Sequence, residues 1–279
     1  MSVNSVTLTP GKLGGLKTRR ASEDRSLPSV CIYGGPGTGK TTLAASAFDV
    51  PEMHPILHLN IENGTQSVKD IYPDLEILDI ERFKQLQGVY NDLYSQQDAD
   101  AQTCAGYKTI IIDNLTEGQK KGMEHIFQGE KMAATGISFT EFTMATFANG
   151  GWNISTEQMR KMIRAFRELP CYVIFVAWEI DIEKSDVRHL WTPNFTAKLA
   201  SEMPGMINDC WRLHFNNQGV RVLQTARTKE VVAKDRTRKL PSFIENPTMP
   251  LIHDYWSGTL VKSPEDDTPK KTGNLTLKK

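Results

Sequence analysis

Short, mostly apolar segments alternate with amphipathic ones along most of this chain. The apolar segments have the length and continuity of strands buried on both faces of a parallel sheet. They are residues 29–33, 55–61, 75–80, 107–113, 171–177, 209–215 and 220–226. The amphipathic segments predict helices over residues 42–48, 81–95, 115–127 and 155–168. This alternation predicts an α/β fold in which a mostly parallel sheet is flanked by helices.

The two ends of the chain lack this alternation. Residues 1–27 are rich in Gly, Ser, Lys and Arg and predict a flexible N-terminal arm. Residues 263–279 predict a disordered charged tail. Residues 28–262 are therefore expected to form one domain, without an internal repeat.

Charge, the length of apolar runs and cysteine spacing indicate which partners and which cellular compartment to expect. Lys plus Arg and Asp plus Glu both total 33, so the net charge is zero and a nucleic-acid or membrane surface would have to be a local patch. No apolar run has the length of a membrane span, and the N-terminus lacks the apolar stretch of a signal peptide. The four cysteines are scattered without C-x-x-C spacing, which favours buried thiols. We expect a cytoplasmic protein without a membrane partner.

A glycine-rich stretch stands between the first predicted strand and the first predicted helix. It fits G-x-x-x-x-G-K-[ST], a pattern whose backbone N–H groups cradle the phosphates of a nucleoside triphosphate. Lys40 is predicted to reach the β- and γ-phosphates, and the Thr41 hydroxyl to bind Mg²⁺. A surface turn could match by accident, but strand, loop and helix stand in the required order. The predicted ATP-binding residues are Gly34, Gly35, Pro36, Gly37, Thr38, Gly39, Lys40, Thr41 and Thr42.

Two acids at predicted strand ends are candidates for the chemistry. Asp113 ends the strand at 107–113 and is the second predicted Mg²⁺ ligand, because parallel sheets bind ligands at the carboxyl ends of their strands. Glu62 follows the strand at 55–61 and is the candidate general base for an attacking water, the alternative being a solvated loop glutamate. Glu117 is the reserve candidate, although an acid in a first helical turn is also favoured by the helix dipole.

The pattern resembles the RecA-like ATPase core in four segments: GGPGTGKT at 34–41, IENGT at 61–65, IIIDNLT at 110–116 and VIFVAW at 173–178. More narrowly, it resembles compact bacteriophage ATPases, AAA-domain ATP-binding proteins linked to single-strand-annealing recombination. The resemblance spans roughly residues 28–240 and implies a RecA-like P-loop NTPase fold with ATP and Mg²⁺ as ligands. AAA+ ATPases usually carry the catalytic Glu directly after the metal-side Asp, whereas this chain has Asn114 there.

Residues 227–239 contain six Lys or Arg against two Asp or Glu. Within them, Lys234 and Arg236 resemble the Lys-x-Arg motif late in RecA-like proteins, which implies action on the γ-phosphate held by a neighbouring subunit. A cation supplied in trans stabilises the charge that develops in phosphoryl transfer. A contact to the DNA backbone and an ordinary solvated basic loop are the alternatives.

Two further segments depart from the family pattern. RecA-like proteins usually end the strand at 171–177 with a polar residue that senses the γ-phosphate, but this chain has Trp178 followed by Glu179. The sensing role is therefore lost, altered or passed to Glu179, or Trp178 is structural. Residues 129–154 fit no standard element, and their aromatic residues either pack or stack on unpaired bases. These aromatic residues are Phe139, Phe142, Phe147 and Trp152.

The leading hypothesis is a Mg²⁺-dependent ATPase that acts on single-stranded DNA in phage-type recombination or replication. It implies a homo-oligomer, as a ring or a filament, and a single-strand-binding protein as a further partner. The alternatives are a P-loop kinase of a small metabolite and a weakly hydrolysing, nucleotide-gated assembly or loader protein.

Overall fold

The computed structural model of the chain describes residues 12–13, 16–62, 64–130, 151–184 and 187–263. The strands within these ranges are β1 (Lys12–Leu13), β2 (Leu16–Lys17), β3 (Ser29–Gly34), β4 (Ile56–Asn60), β5 (Glu76–Asp79), β6 (Gln97–Asp98), β7 (Thr103–Cys104), β8 (Thr109–Asp113), β9 (Tyr172–Lys184), β10 (Val187–Pro193), β11 (Asp209–Phe215), β12 (Arg221–Gln224) and β13 (Phe243–Glu245). The helices are α1 (Lys40–Ala45), α2 (Phe83–Ser95), α3 (Leu115–Glu130), α4 (Gly151–Arg167), α5 (Ala197–Met206) and α6 (Met249–Ser257).

One large sheet organises the chain, with strand order β13-β12-β11-β3-β9-β8-β4-β5. The pairs from β11 through β5 are parallel, whereas β12 and β13 are antiparallel strands added next to β11. The carboxyl ends of β3, β4, β8 and β9 therefore meet at one edge of the sheet, called here the carboxyl edge. This sheet, with its flanking helices, confirms the predicted α/β class.

Helices cover both faces of the sheet and bury its central strands. Strand β5 at the end of the sheet is exposed along its length, so the prediction that residues 75–80 form a strand buried on both faces was wrong. Helices α2 to α5 pack on one face and α1 and α6 on the other. Strand β8 shows the consequence for a single strand: Ile110 and Ile112 belong to one core, Ile111 to the other, and all three are fully buried. Burying each such side chain contributes about 1.5–3 kcal/mol. A strand that is apolar on both faces is thus fixed between two helical layers, which holds Asp113 at its end.

Strand β9 is longer than the sequence predicted. Its first part pairs with β3 and β8, as far as Trp178 opposite Gly34. It then continues beyond the carboxyl edge and pairs with β10 in an antiparallel hairpin. Sequence patterning missed this continuation because acidic residues interrupt its apolar pattern. Helices α5 and α6 and strands β10 and β13 were also not predicted.

The remaining findings concern the cysteines, the four predicted aromatic residues and the length of the helices. The four cysteines are buried, as predicted. Phe139, Phe142 and Phe147 lie outside the described residues, whereas Trp152 lies on α4 with 38 % of its surface exposed. Within the described ranges, no helix combines the length and apolar character that crossing a bilayer requires.

Candidate functional site

The glycine-rich stretch forms a loop between β3 and α1, as predicted. Gly39 has φ +86°, a left-handed conformation that side chains disfavour, and it directly precedes α1. At Gly34, a Cβ would lie 2.2 Å from the carbonyl oxygen of Leu213, so only glycine fits against β11. The loop backbone is therefore fixed by local conformation at one end and by strand packing at the other.

Lys40 lies at the start of α1 and is 8 % exposed. Its Nζ donates to the carbonyl oxygen of Gly35 at 2.8 Å, so the ammonium is held over the loop. Burial lowers the pKa of Lys40, and the carboxylates of Asp113 and Glu62 oppose that shift. The ammonium is thus bound to the phosphate-cradling loop and interacts with the charges of both predicted acids.

Thr41 and Asp113 form a direct pair at the carboxyl edge. The Thr41 hydroxyl donates to Oδ2 of Asp113 at 2.6 Å, and Asp113 is 4 % exposed. Oxygen ligands of this kind suit Mg²⁺, which binds through one or two protein oxygens together with substrate phosphates. Within the described ranges, no group of three His, Cys, Asp or Glu side chains could hold a metal by itself. The donor set therefore fits Mg²⁺ bound together with a phosphate.

His58 was missed by sequence reasoning. It is 1 % exposed within β4, and its Nε2 lies 3.6 Å from Oδ2 of Asp113, beyond hydrogen-bond distance. Neither ring nitrogen has a hydrogen-bond partner among the described residues. The available signal was a histidine between two leucines of a buried strand. Its position shows that Asp113 has a polar neighbour on the side of β4.

Glu62 lies just beyond the end of β4 and is held at both carboxylate oxygens. Trp178 donates its indole N–H to Oε1 at 3.1 Å, and the Asn114 side-chain amide donates to Oε2. Asn114 is the residue at the position where AAA+ ATPases carry their glutamate, and its own Oδ1 accepts the backbone N–H of Glu117 at 2.8 Å. The absent glutamate is thus replaced by an amide that binds a glutamate from the neighbouring strand.

Several groups set the proton affinity of Glu62. Burial, followed by the nearby negative charge of Asp113, raises the pKa of Glu62 above its ordinary value. Lys40 and the hydrogen bond from Trp178 oppose this shift. A carboxylate with a raised pKa near a phosphate loop is a typical proton acceptor.

The remaining predicted residues near the loop have separate partners. The Glu117 carboxylate accepts from Lys120 at 3.1 Å. Glu179 accepts from Nε of Arg212 at 2.8 Å, and its Oε1 lies 3.0 Å from the position of a Cβ on Gly35. Glu179 therefore also borders the loop.

The structure places Lys234 and Arg236 at the other edge of the sheet. Asp209, at the amino end of β11, accepts the backbone N–H of Arg236 at 2.7 Å. Lys234 donates from Nζ to the carbonyl oxygens of Pro204 and Ile207, at 3.0 and 2.8 Å. The side chain of Arg236 lines an open cleft of about 730 Å³. Within one chain, both residues are remote from Lys40.

This chain matches one protein-family model and is similar to several solved structures. Residues 27–237 match the family model AAA_24, described as an AAA domain. A KaiC-like protein of the archaeon Pyrococcus horikoshii OT3 is similar in structure, with 12 % identity and a TM-score of 0.40, over 79 % of this chain and 89 % of that chain. The RadB recombinase is similar with 15 % identity and a TM-score of 0.42, over 71 % and 79 % of the two chains. No curated protein matches the chain.

The glycine-rich loop, the strand order and the family match all indicate a P-loop NTPase. The fold is the predicted P-loop NTPase fold, with a mostly parallel sheet flanked by helices. Because the family model matches most of its residues, this chain belongs to the AAA domain family AAA_24.

Proposed function

We propose that this protein is a Mg²⁺-dependent ATP hydrolase that acts on single-stranded DNA as a homo-oligomer. The observation that carries the hydrolase assignment is the convergence of Lys40, the Thr41–Asp113 pair and Glu62 at the carboxyl edge. A phosphate loop, a metal pair and a base are the parts that ATP hydrolysis requires.

Each residue has a distinct role in this proposal. Lys40 exchanges the Gly35 carbonyl for oxygens of the β- and γ-phosphates. Thr41 and Asp113 hold Mg²⁺, which when bound neutralises charge on those phosphates. Glu62 orients a water and accepts its proton as the water oxygen attacks the γ-phosphorus and the bond to the ADP oxygen breaks.

The hydrogen bonds to Glu62 leave it able to act as a base. Each carboxylate oxygen has two lone pairs, and Asn114 and Trp178 occupy one on each oxygen. Both oxygens therefore retain a lone pair for water, while the side chain is held in one orientation. This arrangement favours hydrolysis over the nucleotide-gated loader, which needs no oriented base.

The DNA assignment rests on the resemblance of the sequence to phage-type recombination ATPases. That resemblance extends the proposal to phage-type recombination or replication, with a single-strand-binding protein as partner. The exposed basic residues of 227–239 give the chain a local positive patch despite its zero net charge. A phosphate-binding surface of that kind suits single-stranded nucleic acid.

Steady-state ATP hydrolysis with and without single-stranded DNA tests the proposal, with Lys40→Ala as the control for the P-loop. We expect severalfold stimulation by DNA in the wild type and none in Lys40→Ala. Hydrolysis that ignores DNA would remove the DNA assignment and direct attention to small phosphoryl acceptors. Hydrolysis that persists in Lys40→Ala would remove the assigned site altogether.

Replacing Trp178 by phenylalanine tests how Glu62 is held. The indole hydrogen bond lowers the pKa of Glu62, so its loss raises that pKa further. Because the base must be ionised, hydrolysis declines as pH falls through this pKa. We expect the acidic limb of the pH–rate profile to move to higher pH, so that the loss of kcat relative to wild type grows as pH falls.

The pH–rate profile of Trp178→Phe is compared with that of Trp152→Phe, both measured without DNA. Trp152 is a partly exposed tryptophan of α4, and we expect its replacement to leave the acidic limb in place. An unchanged limb in Trp178→Phe would show that Trp178 only fills space.

A further inference from the structure

We propose that the hairpin of β11 and β12 provides the nucleoside end of the ATP site. In this inference the ring of Phe215 stacks on the purine base, and the guanidinium of Arg221 binds the phosphate nearest the nucleoside. Phe215 and Arg221 are called the hairpin pair below. The inference rests on the proposed ATP site and extends it by two residues that sequence reasoning did not select.

Strand register places the hairpin pair directly beyond the phosphate loop. Leu213 of β11 is opposite Gly34, the first residue of the loop, and Phe215 lies two residues further along the strand. Phe215 and Arg221 are themselves opposite each other in the antiparallel β11–β12 ladder. At about 3.3 Å per residue, Phe215 lies roughly 7 Å past the start of the loop.

The alternation of side chains assigns the hairpin pair to a face of the sheet. Leu213 and Leu223, which are opposite each other, belong to the core that contains Leu43 of α1. Phe215 and Arg221 are each two residues away from these leucines, so they point to the same face. The hairpin pair therefore lies on the side of α1, the helix that follows the loop.

Arg221 lies against the loop itself. Its Nη1 is 2.7 Å from the position that a Cβ on Gly39 would take, so the guanidinium lies directly against the loop. Among the described residues, nothing accepts a hydrogen bond from this guanidinium or forms an ion pair with it. Arg212 of the same hairpin, by contrast, is paired with Glu179. A cation that has no protein partner beside a phosphate loop is suited to a phosphate.

The direction of the bound nucleotide follows from the positions of the other groups. The Thr41–Asp113 pair and Glu62 act at the γ-phosphate, and they lie at the ends of β8 and β4. Strand β3, which leads into the loop, separates these strands from β11 and β12. A triphosphate whose γ end faces β8 therefore directs its nucleoside towards the hairpin pair.

Phe215 has the exposure and chemistry that a base requires. Phe215 is 52 % exposed at the end of β11, although the two preceding residues on its face are buried. An aromatic ring beside a loop that binds phosphate offers a flat apolar surface to a purine. Stacking of this kind is tolerant of base identity.

Calorimetric binding of ATP and of inorganic tripolyphosphate separates the base contact from the phosphate contact. We expect Phe215→Ala to weaken ATP binding about tenfold and to leave tripolyphosphate binding unchanged. Arg221→Met is expected to weaken both ligands about tenfold, because it removes a phosphate contact. Phe215→Trp retains a stacking surface and is expected to bind ATP at least as tightly as wild type.

The controls distinguish failure of this inference from failure of the proposed function. Tyr94→Ala removes an aromatic ring of similar exposure on α2 and is expected to bind both ligands normally. If Lys40→Ala binds ATP as well as wild type, the proposed ATP site itself is wrong. If Lys40→Ala is impaired but Phe215→Ala behaves like Tyr94→Ala, only the stacking role is wrong. Equal losses for ATP and tripolyphosphate in Phe215→Ala would also overturn it.

Discussion

Replacing Glu62 by glutamine is expected to lower kcat for ATP hydrolysis by about 10²- to 10⁴-fold while ATP binding is retained. Glutamine keeps the size of the side chain, and its single amide oxygen can still accept one of the two hydrogen bonds from Asn114 and Trp178. It cannot accept a proton from water, and this loss affects the chemical step alone. Steady-state kinetics give kcat, and equilibrium titration with ATP gives the dissociation constant.

Glu117→Gln is the matched control for this variant. It makes the same chemical change three residues from Asn114, at the reserve candidate, whose carboxylate is paired with Lys120. We expect little change in its kcat. Full activity in Glu62→Gln would favour the weakly hydrolysing loader, and a large loss in Glu117→Gln would transfer the role of base to Glu117.

Replacing Arg236 by alanine is expected to lower kcat by about 10³-fold or more, with ATP binding retained. Arg236 lies at the amino ends of the parallel strands, whereas Lys40 lies beyond their carboxyl ends. We therefore expect its guanidinium to reach a γ-phosphate only on a second copy of the chain. Its loss removes stabilisation of the transition state, not of bound ATP. The measurement is kcat at a protein concentration that supports assembly.

Mixing two inactive variants tests action in trans. Lys40→Ala supplies an intact Arg236, and Arg236→Ala supplies an intact P-loop, so mixed oligomers are expected to regain hydrolysis. Lys229→Ala, in the same basic segment, is expected to remain active in the absence of DNA. A mixture without activity would contradict the assignment, as would normal hydrolysis by Arg236→Ala alone.

Lys234 is expected to behave differently from Arg236. Its ammonium is bound to the carbonyl oxygens of Pro204 and Ile207 at the end of α5, a contact that the motif spacing could not show. A cation near a helix C-terminus stabilises it. This contact supports Arg236 over Lys234 as the residue that acts across the subunit boundary, within the pair that the sequence selected.

The P-loop and the ends of the buried strands were predictable from the sequence because their signals are local. Gly39 is required by a backbone conformation, and Asp113 follows three buried isoleucines. Such features depend on neighbours in the chain. Periodicity and glycine position therefore identified the parallel sheet and the predicted location of Asp113.

The contacts around Glu62 and at the hairpin pair were not predictable in the same way. Asn114 and Trp178 are separated from Glu62 by 52 and 116 residues, and only the register of the sheet brings them together. Likewise, no sequence motif shows that Arg221 lies on Gly39. Strand β10 and the end of β9 were not predicted, because polar residues interrupt the apolar pattern outside the core.

Strand β9 has a mechanical consequence for the proposed hydrolysis of ATP. It carries Trp178 at the carboxyl edge and continues without a break into its ladder with β10. An extended strand is stiff along its length, and about 20 Å of it follows Trp178. A shift of Glu62 and Trp178 when the γ-phosphate leaves would therefore also displace the paired residues of β9 and β10.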